Sequence, residues 1–145
     1  MKIQYPYLKN FLNTKLSQKK LVDVFTQVGF ECEIEGDLIE FDITPNRGDV
    51  LSLRGLEREF YAHQSTKPSR KLKTSTLRLT KDKKIIKHID GSGCGNYHLM
   101  LVQNLQKIKN LDAKKRTFIE SAGVPLIHPL VDLGNYVMLE IGAPL

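Results

Sequence analysis

The sequence predicts an α+β protein, in which a small domain of helices on an antiparallel sheet precedes a partial mixed α/β domain. Residues 30–43 contain two segments with the period of two that is typical of half-buried strands, and a glycine turn joins them. Apolar residues at helical spacing lie on both sides of this hairpin. A polar, basic stretch then interrupts the periodicity. We therefore expect residues 1–64 to form the first domain, residues 65–76 a basic linker, and residues 77–145 the partial second domain.

Two helices are predicted before the hairpin. Residues 8–12 carry apolar side chains at helical spacing, and Pro6 fits the first turn of a short helix. A second helix is expected to begin after Ser17, a favourable N-cap, and to end at Gly29, which tolerates the left-handed conformation. Its apolar stripe comprises Leu21, Val24, Phe25 and Val28.

The second strand of the hairpin, residues 38–43, is expected to end in a tight turn. Pro45 has no N–H to donate to a sheet, so the Pro-Asn-Arg-Gly sequence predicts a turn. We expect Arg47 to pair with Asp42 or Asp49, and Asp49 to be the N-cap of a helix. The buried face of this helix would comprise Val50, Leu53, Leu56 and Phe60. The solvent face would comprise Arg54, Glu57, Arg58 and Glu59.

Beyond the linker, the apolar spacing that predicts helices and strands is less regular. Apolar alternation between residues 77 and 101 indicates short strands. Asp112 is expected to cap a helix over residues 113–122. Asn135 and Tyr136 are interpreted as a strand-to-turn corner.

Composition excludes several classes of protein. A chain of 145 residues that is 41% hydrophobic can bury a core, but no apolar run approaches the ~18 residues of a membrane span. We therefore expect a cytoplasmic protein with no membrane association. Cys32 and Cys94 form no Cys-x-x-Cys motif and are interpreted as ordinary reduced thiols. The histidines lack metal-ligand spacing, so no metal site is expected. They are His63, His88, His98 and His128.

The positive charge of the chain is concentrated in one segment. Residues 65–116 carry fourteen Lys/Arg against three Asp/Glu, a balance of +11, whereas the whole chain carries +6. Such a segment can contact phosphates, or it can be a solvated linker whose charges repel one another. Both interpretations remain open.

Two stretches of the chain resemble one known family. The first has nine residues at fixed spacing: Asp42, Thr44, Pro45, Asn46, Arg47, Asp49, Ser52, Gly55 and Glu59. The second is residues 131–145, V-D-L-G-N-Y-V-M-L-E-I-G-A-P-L. Together they resemble signatures of the beta subunit of bacterial phenylalanyl-tRNA synthetase, in its N-terminal core domain and the start of its editing domain.

The resemblance implies the structural and subunit-assembling portion of a heterotetrameric phenylalanine-tRNA ligase, with no complete catalytic site in this chain. It implies the alpha subunit as partner, and weak or indirect contact with tRNA(Phe), for which the candidates are Lys67, Arg70, Lys71 and Lys73. ATP and Mg²⁺ are implied for the complete synthetase, and no cofactor is expected on this chain.

The resemblance also reveals departures from the family. The family inserts a tRNA-binding domain between the two strands of the hairpin. Here only three residues join the strands, so the inserted domain is missing. The remnant editing-pocket positions are Pro125, Gly134, Asn135 and Tyr136, where the family usually has an arginine at the first and a threonine at the second. The editing region is therefore expected to be degenerate or truncated. Two rival functions are a free-standing basic RNA-binding module and a free-standing deacylase of mischarged tRNA.

Overall fold

The computed structural model of the chain describes residues 1–68 and 108–143. The described residues form three strands, five helices and one 3-10 turn. They are β1 (Lys2–Gln4), α1 (Tyr5–Phe11), α2 (Gln18–Val28), β2 (Glu31–Glu35), β3 (Leu38–Asp42), the 3-10 turn Gly48–Val50, α3 (Leu53–His63), α4 (Ala113–Ser121) and α5 (Pro129–Ile141). The predicted α+β class is confirmed.

The sheet has the order β1-β3-β2, and both pairings are antiparallel. Ile39 is paired with Ile3 on one side and with Ile34 on the other. Ile3, Ile39 and Phe41 are buried, so one face of the sheet carries the core. The sequence predicted β2 and β3 but not β1, because the alternation at the N-terminus spans only three strand residues.

The caps of α2 lie where the sequence predicted them. The Ser17 hydroxyl accepts the Lys20 N–H, and Gly29 ends the helix at φ 104°. That backbone conformation is strained for a residue with a side chain, which explains the glycine. Helix α1 begins with Pro6 in its first turn, also as predicted.

Aromatic rings at the centre of the core join helices to sheet. The ring of Phe25 on α2 lies edge-on to Phe41 at 5.0 Å between centroids, and 6.1 Å from Phe60 of α3. All four residues predicted for the inner face of the third helix, Val50, Leu53, Leu56 and Phe60, are buried. These rings join α3 to α2, and α2 to the sheet.

Helices α4 and α5 pack on the elements of the first domain. Phe118 and Ile119 of α4 are buried, and the Phe118 ring stacks on Tyr7 of α1 at 4.5 Å between centroids. The described residues on both sides of the gap form one compact unit. The expected domain boundary, in contrast, placed residues 77–145 in a separate domain. The two arrangements differ because the apolar side chains of α4 are buried against the N-terminal elements.

Other predictions had mixed outcomes. The helix expected after Asp112 is confirmed, and the Asp112 carboxylate accepts the Lys115 N–H at 3.0 Å. The strand-to-turn corner at Asn135 and Tyr136 is wrong, because both lie within α5. The strands predicted between residues 77 and 101 lie outside the described residues. Within the described ranges, no helix is both long and apolar enough to cross a membrane.

Candidate functional site

The nine signature residues form a polar corner where β3 passes into α3. The Arg47 N–H donates to the Thr44 carbonyl at 2.9 Å, and the Val50 N–H donates to the Arg47 carbonyl at 3.1 Å. These two bonds close the turn that Pro45 predicted. Asp42, Thr44, Pro45 and Asn46 are exposed on the outside of this turn.

The Arg47 guanidinium is the centre of the corner. Its Nε and Nη2 donate to the two carboxylate oxygens of Asp49 at 3.0 and 3.1 Å, and Nη2 also donates to Glu59 at 2.7 Å. The guanidinium carbon lies 5.5 Å from the centroid of the Phe30 ring. Of the two partners expected for Arg47, the structure therefore selects Asp49 rather than Asp42. Glu59, in the second turn of α3, was not expected as a partner.

These bonds shift the ionisation of both partners. Hydrogen bonding from Arg47 lowers the pKa of Asp49, and the bond to Asp49 is the main cause of the raised pKa of Arg47. Both groups stay charged at neutral pH. A carboxylate held in this way is a poor general acid, because its proton is lost far below physiological pH.

The predicted N-cap at Asp49 is wrong. The Ser52 hydroxyl caps α3 by accepting the Gly55 N–H at 3.0 Å, and Ser52 is buried. Asp49 instead lies in the 3-10 turn, where its carboxylate faces Arg47 and its backbone carbonyl accepts a bond from Arg58 at 3.0 Å. The helix starts three residues later than expected because Arg47 and the N-cap position compete for the same carboxylate.

Gly55 allows the turn and the helix to approach each other. A Cβ atom at this position would lie 2.3 Å from the Asp49 carbonyl oxygen and 2.5 Å from Val50 Cα. Both are backbone atoms that cannot rotate away. Glycine is therefore required at this position by close packing, and no chemical role is needed to explain it.

A second ion-paired cluster links α3 to α5, and the sequence did not predict it. Arg54 and Glu57 were expected on the solvent face, but their side chains are only 13% and 4% exposed. Arg54 donates to Glu57 at 2.8 Å, lies 3.6 Å from Glu140 of α5, and covers the ring of Phe11 at 5.3 Å. The spacing of three residues between Arg54 and Glu57 was the available signal. The burial comes from α5, which no local pattern in α3 reveals.

The proposed remnant pocket positions lie on α5 and in the connection before it. Tyr136 accepts a bond from the Tyr7 hydroxyl at 3.3 Å and packs edge-on against Phe118 at 6.2 Å. Burial is the main cause of the raised pKa of Tyr136. Gly134 and Asn135 are half-buried on α5, whereas Pro125 is exposed in the connection between α4 and α5.

The remaining candidates give no assembled site in the described ranges. Lys67 is exposed, and Arg70, Lys71 and Lys73 lie outside the described residues. Residues 1–68 and 108–143 contain no group of three or more His, Cys, Asp or Glu that could hold a metal ion. Cys32 is half-buried as a free thiol, and burial raises its pKa to about 11, which makes it a poor nucleophile at neutral pH.

An open groove of about 660 Å³ lies along β2 and β3. Its polar lining includes Glu31, Glu33, Glu40 and Asp42. These carboxylates have the same sign of charge as nucleic-acid phosphates. This groove therefore does not fit RNA.

Comparison with known proteins gives sequence relatives only. No family model matches the chain, and no solved structure matches it. A protein of Neisseria gonorrhoeae named phenylalanine–tRNA ligase beta subunit is 34% identical over 124 residues, which is 84% of this chain and 16% of that protein. The protein of the same name from Aquifex aeolicus is 38% identical over 109 residues, 74% of this chain and 13% of that protein. One from Methylococcus capsulatus is 28% identical over 114 residues, 78% of this chain and 14% of that protein. The chain thus spans about a sixth or less of the length of these curated relatives.

Proposed function

This chain is a relative of the phenylalanine–tRNA ligase beta subunits, and from that premise we propose that it is a structural, subunit-assembling portion of such a ligase, without a complete catalytic site. The partner would be the alpha subunit of the ligase. The complete ligase would bind ATP and Mg²⁺ elsewhere and attach phenylalanine to tRNA(Phe) in the cytoplasm. This chain would bind no cofactor itself.

The observation that carries this proposal is the mutual pairing of side chains at the centre of the signature corner. Arg47 donates from Nε and Nη2 to Asp49 and Glu59, and the Ser52 hydroxyl is used as a helix cap. Gly55 is required by close packing. Arg47, Asp49, Glu59 and Ser52 satisfy one another in this way, so they hold the joint rigid and are themselves not free to act as acid, base or nucleophile.

The proposed loss of editing has independent support. A deacylase that rejects tyrosine needs polar groups directed at the extra hydroxyl, and Pro125 offers neither charge nor donor. The Tyr136 hydroxyl is already engaged by Tyr7. We therefore propose that the editing region of this chain is degenerate, and that contact with tRNA(Phe) is weak or indirect through Lys67, Arg70, Lys71 and Lys73.

Co-purification tests the assembly role. The tagged full chain is co-expressed with the phenylalanine–tRNA ligase alpha subunit of the same organism, and the complex is measured by size-exclusion chromatography with light scattering. A stoichiometric complex is expected. Neither the chain without the alpha subunit nor the tag by itself should attach phenylalanine to tRNA. Failure to retain the alpha subunit at ten-micromolar protein would overturn the assembly role.

A second candidate, a basic RNA-binding module, is favoured by the charge of residues 65–116. Titration of any tRNA with the isolated chain at several salt concentrations distinguishes the two. An RNA-binding module should bind without the alpha subunit, and the logarithm of its affinity should fall steeply with the logarithm of salt. Binding that needs the alpha subunit supports the assembly role instead.

A further inference from the structure

Helix α5 is inverted relative to an ordinary surface helix, because its polar side chains face the protein. Asp132, Tyr136 and Glu140 recur every four residues, and a step of four residues rotates by only about 40° on an α-helix, so the three form one stripe. This stripe lies on the inner side, where Asp132 is buried and Tyr136 packs against the core. A surface helix normally directs its apolar stripe inward and its polar residues outward.

The outer side of α5 is apolar. Leu130, Val131 and Ile141 are 44% to 45% exposed, and each lies at least about 120° around the helix from the centre of the polar stripe. Burial of apolar surface favours folding but has no directional preference. Rotation of α5 about its own axis would bury these three side chains in place of Tyr136 and Leu139. Apolar burial alone therefore does not select the observed orientation, and the selection has to come from polar contacts.

Glu140 makes the first of these contacts, with Arg54 of α3. Its carboxylate lies 3.6 Å from Nη2 of Arg54, and Nη1 of the same guanidinium donates to Glu57 at 2.8 Å. The Nε atom of Arg54 is buried without a hydrogen-bond partner. A rotated α5 would set apolar atoms against Nη2 as well, and each buried donor without a partner costs free energy. This contact therefore favours the orientation in which Glu140 faces inward.

The second contact joins α5 to α1 through two tyrosine hydroxyls. Tyr7 donates to Tyr136 at 3.3 Å, and the Tyr7 ring stacks on Phe118 of α4. Burial, followed by hydrogen bonds to Tyr7 and Glu140, raises the pKa of Tyr136, so its hydroxyl keeps its proton at neutral pH. One connected set of polar groups therefore runs from α1 through α5 to α3, and we name it the polar network: Tyr7, Tyr136, Glu140 and Arg54.

We propose that the polar network determines which side of α5 docks on the protein, and that without it α5 docks in more than one rotational orientation. Polar groups at a helix contact can fix orientation and register while adding little or nothing to stability, because the cost of desolvating them offsets their attraction. The network is then a conformational device, since it holds α5 in the orientation that leaves apolar side chains exposed. None of its contacts requires another subunit.

Thiol labelling of the purified full chain reports which side of α5 faces solvent. Both native cysteines are first replaced by serine, and a single cysteine is then introduced on one side of the helix. Val131→Cys places it on the outer side, and Leu139→Cys places it on the inner side. Because the reactivity of a thiol follows its exposure, the first variant should react with a maleimide at least about fivefold faster than the second.

Tyr136→Phe/Glu140→Met removes the polar contacts of α5 and keeps a ring and a long side chain in their places. Arg54 stays paired with Glu57, so no buried charge is left unpaired and the melting temperature should not fall. In this background the two labelling rates should differ by less than about twofold, since α5 then docks in several orientations.

Tyr61→Phe/Glu35→Met is the matched control, because it makes the same substitutions at a hydrogen-bonded tyrosine and an ion-paired glutamate outside α5. It should retain the difference in labelling rate. A difference that persists in Tyr136→Phe/Glu140→Met overturns the proposal, because apolar packing would then select the orientation. A melting temperature that falls further than in the control also overturns it, because the network would then stabilise the fold rather than orient α5. The result does not depend on the ligase assignment, which rests on co-purification with the alpha subunit.

Discussion

Gly55→Ala isolates the packing at the signature corner, because it adds a single methyl group where the backbone leaves no room. The new Cβ would lie 2.3 Å from the Asp49 carbonyl oxygen, whereas ordinary carbon contacts lie at about 3.5 to 4.0 Å. The gap is more than 1 Å too small, and the obstructing atoms belong to the main chain. Relief requires the 3-10 turn to move away from α3, which would also disturb the bonds between Arg47 and Asp49.

The magnitude follows from two opposing effects. Overpacking costs about 1 to 3 kcal/mol, and a clash with backbone lies at the upper end of that range or beyond. Replacing glycine by alanine inside a helix returns up to about 1 kcal/mol. We expect a net loss of about 1 to 3 kcal/mol in the free energy of unfolding. For a chain of this size, that corresponds to a melting temperature lowered by roughly 3 to 10 °C.

Gly134→Ala is the matched control, since it makes the same substitution inside a helix where a Cβ meets nothing within 4 Å. It should raise the free energy of unfolding by up to about 1 kcal/mol. Urea denaturation of both variants at the same protein concentration gives the comparison. Effects of the same sign in both variants would refute the argument, because helix propensity and not close packing would then dominate at Gly55.

Three further predictions concern the core, the ion pair and the chemistry. Leu56→Ala should lower the free energy of unfolding by about 2 to 5 kcal/mol in urea melts, since Leu56 is fully buried. Lys67→Ala, at an exposed site, should lower it by less than about 0.5 kcal/mol. Equal losses would show that the buried face of α3 is assigned wrongly. Because Arg47 lowers the pKa of Asp49 in the folded protein, the stability from this carboxylate is present above its unfolded pKa and is lost as the pH falls through the folded pKa. Asp49→Asn should therefore flatten the acid limb of the stability–pH curve, and an unchanged limb would contradict the ion pair. The chain should not hydrolyse tyrosyl-tRNA(Phe) above background, and an acceleration of a hundredfold, as one positioned acid–base group supplies, would revive the deacylase hypothesis.

The sequence predicted the N-terminal elements well because their signals are local. Each signal depends on only a few neighbouring residues. The structure confirms the caps Ser17 and Gly29 of α2 and the strand predicted over residues 38–43. The N-cap at Asp49 was wrong because a charged neighbour, Arg47, claims the carboxylate. Local preference therefore fails where a side chain has a stronger partner two residues away.

The errors beyond the linker have a different cause. Residues 129–141 have helical signals at both ends, with Pro129 in the first turn and Gly142 at φ 84° after the last. The interpretation as a strand-to-turn corner ignored them because it considered only Asn135 and Tyr136. The burial of Arg54 and Glu57 could not be predicted from α3 at all, since it depends on a helix about eighty residues later in the chain. The resemblance to the ligase beta subunit, in contrast, is confirmed by the curated relatives, because it rests on many residues at fixed spacing.

The two stretches that carry this resemblance meet in the folded chain, although about seventy residues separate them. Gly142, which ends α5, lies so close to the N-cap of α3 that a Cβ atom there would be 3.1 Å from the Ser52 side chain. Two residues away along the chain from each of these positions, Arg54 lies 3.6 Å from Glu140. Ser52 caps α3 and lies beside the closely packed Gly55, so any shift of α5 would be felt at the corner that Arg47 holds. The two stretches therefore meet at the N-terminal end of α3 and the C-terminal end of α5. This account requires that Gly142→Ala, whose methyl group would press on Ser52 and whose backbone has positive φ, destabilise α3 as well as α5.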